Sequence, residues 1–122
     1  MTMKYVETSA RQAALTDEIE HRPWEFRRPL GASAGFNRAD PPDRLLGARD
    51  LVALLTEVVA KGGHLLLQVG PDASGAMPDA VSERLRAAGG WVRRHRELID
   101  RGVPWHTWGD DNSRYLVLDD QL

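Results

Sequence analysis

The side chains that most often carry metal, thiol or phosphate chemistry do not form a known pattern in this sequence. The four histidines, His21, His64, His95 and His106, lack the spacing of a zinc site. The chain has no cysteine, which excludes disulfides and thiolate chemistry. The glycines do not match the G-x-x-x-x-G-K-[ST] pattern of a phosphate-binding loop, so we interpret them as turn and cap residues. We therefore expect no metal site and no cofactor.

A run of basic residues, Arg93-Arg94-His95-Arg96, is the next group with a possible binding function. It lies in a predicted helix, where consecutive side chains point in different directions. The formal net charge of the whole chain is -2, whereas nucleic-acid binders usually carry a basic excess. We interpret the run as a solvated helix face and expect no nucleic-acid partner.

The elements that must position any site alternate between helix and strand. Leu51, Leu54, Leu55, Val58 and Val59 repeat at helical spacing, which predicts a helix over 50–61. The glycine pair 62–63 ends it. The apolar run 64–69 lacks alternation and predicts a strand buried on both faces.

A second helix is predicted over 79–100. The pair Gly89-Gly90 interrupts it, which close packing against a strand would explain. Shorter strands are indicated at 4–7, 24–26 and 115–118, and Asp40-Pro41-Pro42-Asp43 breaks regular structure. This order of elements is typical of an α/β fold with a parallel sheet.

The length of 122 residues allows one domain of modest size. No segment approaches the ~20 apolar residues of a membrane span, so we expect no membrane partner. The first residues, Met-Thr-Met-Lys-Tyr-Val-Glu, lack the apolar core of a signal peptide. The chain as it stands is therefore expected to be cytoplasmic, while the location of a longer parent protein stays open.

Several motifs occur together in a recognisable order. The segment 51–71 combines a helix, Lys-Gly-Gly-His and Leu-Leu-Leu-Gln-Val-Gly-Pro, and a Gly- and Pro-containing turn follows at 72–78. Trp24-Glu25 and Gly35-Phe36-Asn37-Arg38 precede it, and Gly90-Trp91 and Pro104-Trp105 follow it. This arrangement over about residues 4–105 resembles the α-L-fucosidases, a family of glycoside hydrolases.

The resemblance implies a fold and a domain organisation. The family has a (β/α)₈ TIM-type barrel of typically ~250 residues, so the chain is expected to supply only the last strands and helices of a partial barrel. Residues 1–108 would form this C-terminal part. Residues 109–122 would begin a following β segment or form a tail.

The activity implied by the resemblance is the retaining hydrolysis of terminal α-L-fucose from glycoconjugates. Such enzymes use two carboxyl groups roughly 5–5.5 Å apart. The family's Asp nucleophile belongs to a motif that this sequence lacks, so these residues alone are expected to be inactive. One alternative is a non-catalytic remnant, and another is one half of a split enzyme. A small carbohydrate-binding module is a weaker alternative, because exposed aromatic residues are expected to be sparse.

Four residues are candidates for the site by this resemblance. Glu7 falls where one group of the family has its acid/base, although a solvated surface glutamate fits the same position. Trp24, Glu25 and Phe36 are candidates for substrate binding. Each also has a structural reading: Trp24 as packing under the barrel rim, Glu25 as a loop anchor and Phe36 as core.

The expected partners are a fucosylated glycan, the missing N-terminal part of the barrel, or a second copy of the chain. Four departures from the family's usual residues bear on the site. His64 and Gln68 each stand where Asn is common, and His95-Arg96-Glu97 replaces Asn-Gly-Glu. Ala34 takes a position that is usually aromatic, which removes an expected surface for stacking against the sugar.

Overall fold

The computed structural model describes the backbone of residues 4–7 and the whole of residues 18–118. Three strands and three helices come first along the chain, and a hairpin ends the described part. The elements are β1 (Lys4–Glu7), β2 (Trp24–Pro29), α1 (Ala48–Ala60), β3 (His64–Gln68), α2 (Asp79–Arg94), α3 (Arg96–Arg101), β4 (Gly102–Gly109) and β5 (Arg114–Leu118), with a short 3-10 turn at Pro42–Arg44.

The first three strands form a parallel sheet in the order β1-β2-β3. Trp24 pairs with Lys4, and Phe26 pairs with Leu65, so the register is continuous across the sheet. This confirms the strands predicted at 4–7, 24–26 and 64–69 and the α/β class with a parallel sheet. Because the strands are parallel, their carboxyl ends lie along one edge.

The hydrophobic core lies between one face of this sheet and the helices. Trp24 and Phe26 of β2 point toward the helices and are buried, and Val58 of α1 packs against them. Leu51 of α1 and Val81 of α2 belong to a second buried cluster nearby. Burying one such side chain contributes about 1.5–3 kcal/mol relative to leaving it exposed, which explains why the apolar stripe of α1 faces the sheet.

On the opposite face of the sheet, β3 is largely exposed within the described residues. Leu66 of β3 is 40% exposed, and His64 on the same face is also exposed. The sequence predicted a strand buried on both faces, and for the described part of the chain this is wrong. The physical reason is that α1 and α2 cover only the face carrying Leu65 and Leu67.

The second predicted helix is divided at His95. This residue has φ -117° and ψ 24°, and its amide donates to the carbonyls of Trp91 and Val92. Its ring stacks on that of Trp91 with centroids 4.2 Å apart. The prediction of a continuous helix over 79–100 is therefore wrong at one residue, and α3 continues after the break.

The glycine pair Gly89-Gly90 does not lie against a strand in the described part of the chain. A methyl group built at either position would meet only the side chains of Arg93 and Arg94, at 3.6 Å or more. The expectation of close strand packing at this pair is wrong. Tight contacts occur at other glycines, among them Gly63 and Gly70.

The hairpin of β4 and β5 packs against α1. Only its second strand was indicated by the sequence; the first, β4, was not. Lys61, at the end of α1, is buried and donates to Glu57 Oε1 at 2.8 Å. Its ammonium lies 4.2 Å from the ring centroid of Trp108 in β4, a cation–π contact. No helix among the described residues has the length and apolar character to span a membrane.

Candidate active site at the carboxyl edge of the parallel sheet

A cavity of about 240 Å³ opens at the carboxyl ends of β2 and β3. The loop between β2 and α1 forms one wall, and the start of α2 forms another. Leu30, Phe36, Gln68, Val69 and Val81 are among its lining residues. Small-molecule pockets usually measure ≈ 300–1,000 Å³, so this volume suits a small ligand or one part of a larger pocket.

The loop over this cavity spans residues 31–45 and is closed at its base. Leu46 donates its amide to the carbonyl of Leu30 at 3.0 Å, and Leu30 donates to Gln68 at 2.9 Å. The two ends of the loop are thus tied together and to the end of β3. Compact loops with closed ends are Ω-loops and are frequently functional. We call residues 31–45 the cavity loop.

Asp40 organises the interior of the cavity loop. Its Oδ2 accepts from the backbone amide of Ser33 at 2.9 Å, and its Oδ1 accepts from Ser33 Oγ at 2.8 Å. The same Oδ1 accepts from Asn37 Nδ2 at 2.9 Å. Asn37 Oδ1 in turn accepts from the amide of Ala39. These contacts join both sides of the tip formed by residues 34–36.

The other support of the cavity loop is Gly70, which follows β3. The backbone of Gly35 and Phe36 lies so close to Gly70 that an added Cβ would overlap the Phe36 amide nitrogen. Only glycine leaves room for this approach. This explains why the apolar strand ends in Val-Gly-Pro.

The loop after β3 is ordered by Asp72. Its Oδ1 accepts from Ser74 Oγ at 2.6 Å, from the Ser74 amide and from the Ala76 amide. These hydrogen bonds, that of the Ser74 hydroxyl first, hold the pKa of Asp72 below its ordinary value despite slight desolvation. The turn predicted at 72–78 is therefore organised around the Asp72 carboxylate.

Phe36 is the candidate that the structure places at the cavity. It lies in the wall of the cavity loop and is 43% exposed, which differs from the core position considered as its alternative. Gln68, at the end of β3, also lines the cavity. Glu7 is the last residue of β1 and pairs in register with Arg27, while its side chain lies outside the described part of the structure.

Trp24 and Glu25 lie at the opposite end of the sheet from the cavity. They begin β2, and at about 3.3 Å per residue its last residue, Pro29, lies roughly 17 Å from Trp24 and roughly 13 Å from Glu25. Trp24 is 4% exposed, and its Nε1 donates to the Lys61 carbonyl at 3.2 Å. Glu25 pairs in register with His64. The structure brings Phe36 and Gln68 together but not these two residues.

Sequence reasoning missed Ser33 and Asp40 as parts of the site. The segment 40–43 was interpreted only as a breaker of regular structure. The available signal was a set of Ser, Asn and Asp residues within eight positions, because these side chains often bond to nearby backbone in loops. Which of them meet depends on how the loop folds over the cavity.

The described residues contain no group of three or more His, Asp or Glu side chains placed to hold a metal ion. The acidic side chain nearest the cavity, Asp40, uses both oxygens within the loop. What the cavity offers is an apolar floor, an aromatic ring and a few polar groups at the rim. This combination suits a small ligand that has both polar and apolar faces.

A family model described as Alpha-L-fucosidase matches residues 2–97. The chain belongs to the α-L-fucosidase family. The α-L-fucosidase of Dictyostelium discoideum is 33% identical over 88 residues, which cover 72% of this chain and 19% of that protein. The plasma α-L-fucosidase of Rattus norvegicus is 36% identical over 81 residues, covering 66% of this chain and 17% of the relative.

Solved α-L-fucosidase structures have the same fold over the shared region. The Thermotoga maritima α-fucosidase in complex with a mechanism-based inhibitor has a TM-score of 0.80 and 32% identity, over 94% of this chain and 26% of that chain. The complex of the Thermotoga enzyme with fucose gives a TM-score of 0.76 and 36% identity, over 81% of this chain and 24% of that chain. The chain thus spans about a fifth to a quarter of the length of these relatives.

Proposed function

We propose that these residues form the C-terminal part, the last strands and helices, of a (β/α)₈ catalytic barrel, in a protein that hydrolyses terminal α-L-fucose with retention of configuration. The observation that carries this proposal is the position of the cavity. It opens at the carboxyl ends of two parallel strands, with helices on the outer face of the sheet. In TIM barrels the active site lies at this same edge.

Glu7 is the proposed acid/base. As the last residue of β1 it lies at the edge of the sheet where the cavity opens. A carboxylic acid there would protonate the leaving glycosidic oxygen, and its carboxylate would then take a proton from the attacking water. The nucleophilic Asp would come from a barrel strand outside these residues.

Phe36 is proposed to contact the sugar. Its exposed ring beside an apolar cavity floor suits the methyl group and the C–H face of a fucose residue. Ala34, also in the cavity loop, leaves Phe36 as the aromatic side chain of the described cavity lining. For Trp24 and Glu25 the distance from the cavity supports structural roles. The proposed substrate is a fucosylated glycan.

The test is complementation. The 122-residue chain is co-expressed with the preceding barrel residues of a close relative that carries its Asp nucleophile, and hydrolysis of an aryl α-L-fucoside is measured. We expect turnover by the complex and none by the chain alone. A general acid contributes typically 10²–10⁴-fold, which leaves most of an enzyme's at least ~10⁶-fold acceleration to the nucleophile and pocket. A complex that assembles but does not turn over any fucoside would contradict the proposal.

The role of Glu7 is tested in the same complex. Glu7→Ala should slow substrates with poor leaving groups most, and azide should partly rescue substrates with good leaving groups. Glu25→Ala is the matched control, because Glu25 lies at the opposite end of the neighbouring strand. Unchanged rates for Glu7→Ala would remove it from the acid/base role.

The alternative is a chain without catalysis that associates with itself. The observation in its favour is the exposed Leu66 on the open face of β3, at the edge of the described sheet. Such an edge pairs readily with another strand. Complementation separates the two, because only the enzyme hypothesis requires turnover when the missing strands are supplied.

A further inference from the structure

We propose that Asp40 is a positioning residue of this site, whose carboxylate fixes the cavity loop so that Phe36 stays at the cavity mouth. This inference rests on the proposed function, because it assigns Asp40 a role in binding the sugar. The proposed function by itself assigns no role to Asp40. It acts on the ligand through the loop and not by direct contact.

The Asp40 carboxylate accepts hydrogen bonds on both of its oxygens. Asp40 accepts three hydrogen bonds, two from Ser33 and one from Asn37. Bonds to an ionised carboxylate are roughly twice as strong as neutral ones. Both oxygens are occupied, so the side chain closes a ring across the loop tip.

The loop tip lies between the two residues that donate to Asp40. Ser33 precedes the tip and Asn37 follows it, so Asp40 holds both sides of the segment that carries Phe36. Gly70 supports the same segment from below, where the backbone of Gly35 and Phe36 rests on it. Phe36 is therefore held between two contacts that are independent of each other.

An amide side chain at position 40 could not accept the same three hydrogen bonds. Asn has one oxygen that accepts and one NH₂ that only donates. In Asp40→Asn the NH₂ group would face either the Ser33 amide or Asn37 Nδ2, both of which donate in the present network. At least one bond is lost, and the loop tip is released without a change in side-chain size.

The kinetic test uses the complex of this chain with the preceding barrel residues of the relative, which we call the complemented barrel. The substrate is an aryl α-L-fucoside. Asp40→Asn should raise KM roughly tenfold, the factor that one charge-assisted contact of about 1.4 kcal/mol makes in binding. It should leave kcat within about twofold, because a contact equally strong in substrate and transition state affects KM alone. Asp43→Asn is the matched control and should leave both constants unchanged. A fall in the amount of active complex at unchanged KM would mean a merely structural role and would overturn the inference.

A second measurement does not depend on activity. Amide hydrogen exchange of the chain should show Ser33 protected in the wild type and in Asp43→Asn, and exposed to exchange in Asp40→Asn. Equal protection in Asp40→Asn would overturn the inference. If the wild-type complex has no turnover, the proposed function fails and the KM effect with it. The exchange result still decides whether Asp40 orders the loop.

Discussion

The indole Nε1 of Trp24 donates a hydrogen bond of 3.2 Å to the carbonyl oxygen of Lys61, and this bond ties the start of β2 to the end of α1. The amide of Glu20 donates to the same carbonyl at 3.2 Å. Gly63 lies directly under the indole, where an added Cβ would overlap the ring. Gly62 has φ +84° and turns the chain. The Lys-Gly-Gly motif thus binds the Trp24 indole through the Lys61 carbonyl and leaves room for its ring at Gly63.

Trp24→Phe should therefore reduce stability and leave sugar binding unchanged. The ring still packs, but the hydrogen bond to Lys61 and part of the buried volume are lost, at a cost of about 1–2 kcal/mol. Urea unfolding followed by circular dichroism measures the loss. In the complemented barrel the KM for an aryl α-L-fucoside should not change. A selective rise in KM would instead place Trp24 at the substrate.

Lys61→Met should lower the free energy of unfolding more than the same substitution at an exposed basic residue of a similar ion pair. It removes a buried ammonium that holds Glu57 at 2.8 Å and lies over Trp108. Loss of a hydrogen bond to a charged group costs about 1.5–3 kcal/mol, and we expect the lower end because Glu57 is partly exposed. Urea unfolding measures it.

The matched control for Lys61→Met is Arg96→Met. The pair Arg96–Asp100 has the same four-residue spacing and a similar distance of 2.9 Å, but both side chains are exposed. Exposed pairs contribute little, so the unfolding midpoint should be nearly unchanged. Equal losses in the two variants would contradict the role given to burial.

The stability that the turn of the β4–β5 hairpin contributes should fall at both low and high pH. The Tyr115 hydroxyl, followed by two backbone amides, holds the pKa of Asp110 below its usual value, and Asp110 raises the pKa of Tyr115 above about 10. The Asp110 contribution is complete above its unfolded pKa and is lost as pH falls through the folded one. The Tyr115 contribution is complete below its unfolded pKa and is lost as pH rises through the folded one.

Nuclear magnetic resonance titration of Tyr115 measures this coupling directly. Asp110→Asn should move the pKa of Tyr115 down toward its ordinary value, because the accepting carboxylate is gone. Asp111→Asn, a change at the next residue, should leave it unmoved. A Tyr115 pKa that is the same in all three proteins would show that the hydrogen bond is absent in solution.

Gly70→Ala should damage the site without unfolding the protein. Its methyl group would collide with the backbone of Phe36 and lift the cavity loop. A misplacement of about 1 Å costs on the order of 100-fold in catalysis, measured as kcat/KM in the complemented barrel. Gly75→Ala is the control: it meets no atom within 4 Å but strains φ +83°, so its effect should stay local. Equal activity of both variants would contradict the contact.

Leu66→Lys should reduce self-association of the isolated chain. Leu66 is 40% exposed on the open face of the edge strand β3, and a lysine there opposes pairing with another copy. Sedimentation velocity measures the change. Val117→Lys, at a similarly exposed position on the hairpin, is the control. A wild-type chain that sediments as a monomer at all concentrations would contradict self-association.

The sequence by itself determined the family and most of the local elements, but not β4 or the break at His95. The helical spacing of Leu51, Leu54 and Val58 predicted α1, and the run 64–69 predicted β3, because such patterns depend on neighbours a few residues away. Lys-Gly-Gly and Val-Gly-Pro marked the ends of elements for the same reason. Together with Trp24-Glu25 they indicated the α-L-fucosidase family.

Only the tertiary structure decided which residues meet at the cavity. The sequence grouped Trp24 and Glu25 with Phe36 as candidates for substrate binding. Trp24 and Glu25 begin β2, whereas the cavity lies at the carboxyl end of that strand. Of the three, only Phe36 therefore lies at the cavity. For Asp40 the sequence predicted only a break in regular structure. Its hydrogen bonds inside the loop depend on the backbone bond from Leu46 to Leu30, which closes the loop. These are contacts between residues distant in the chain, or within a loop folded back on itself, and no local periodicity encodes them.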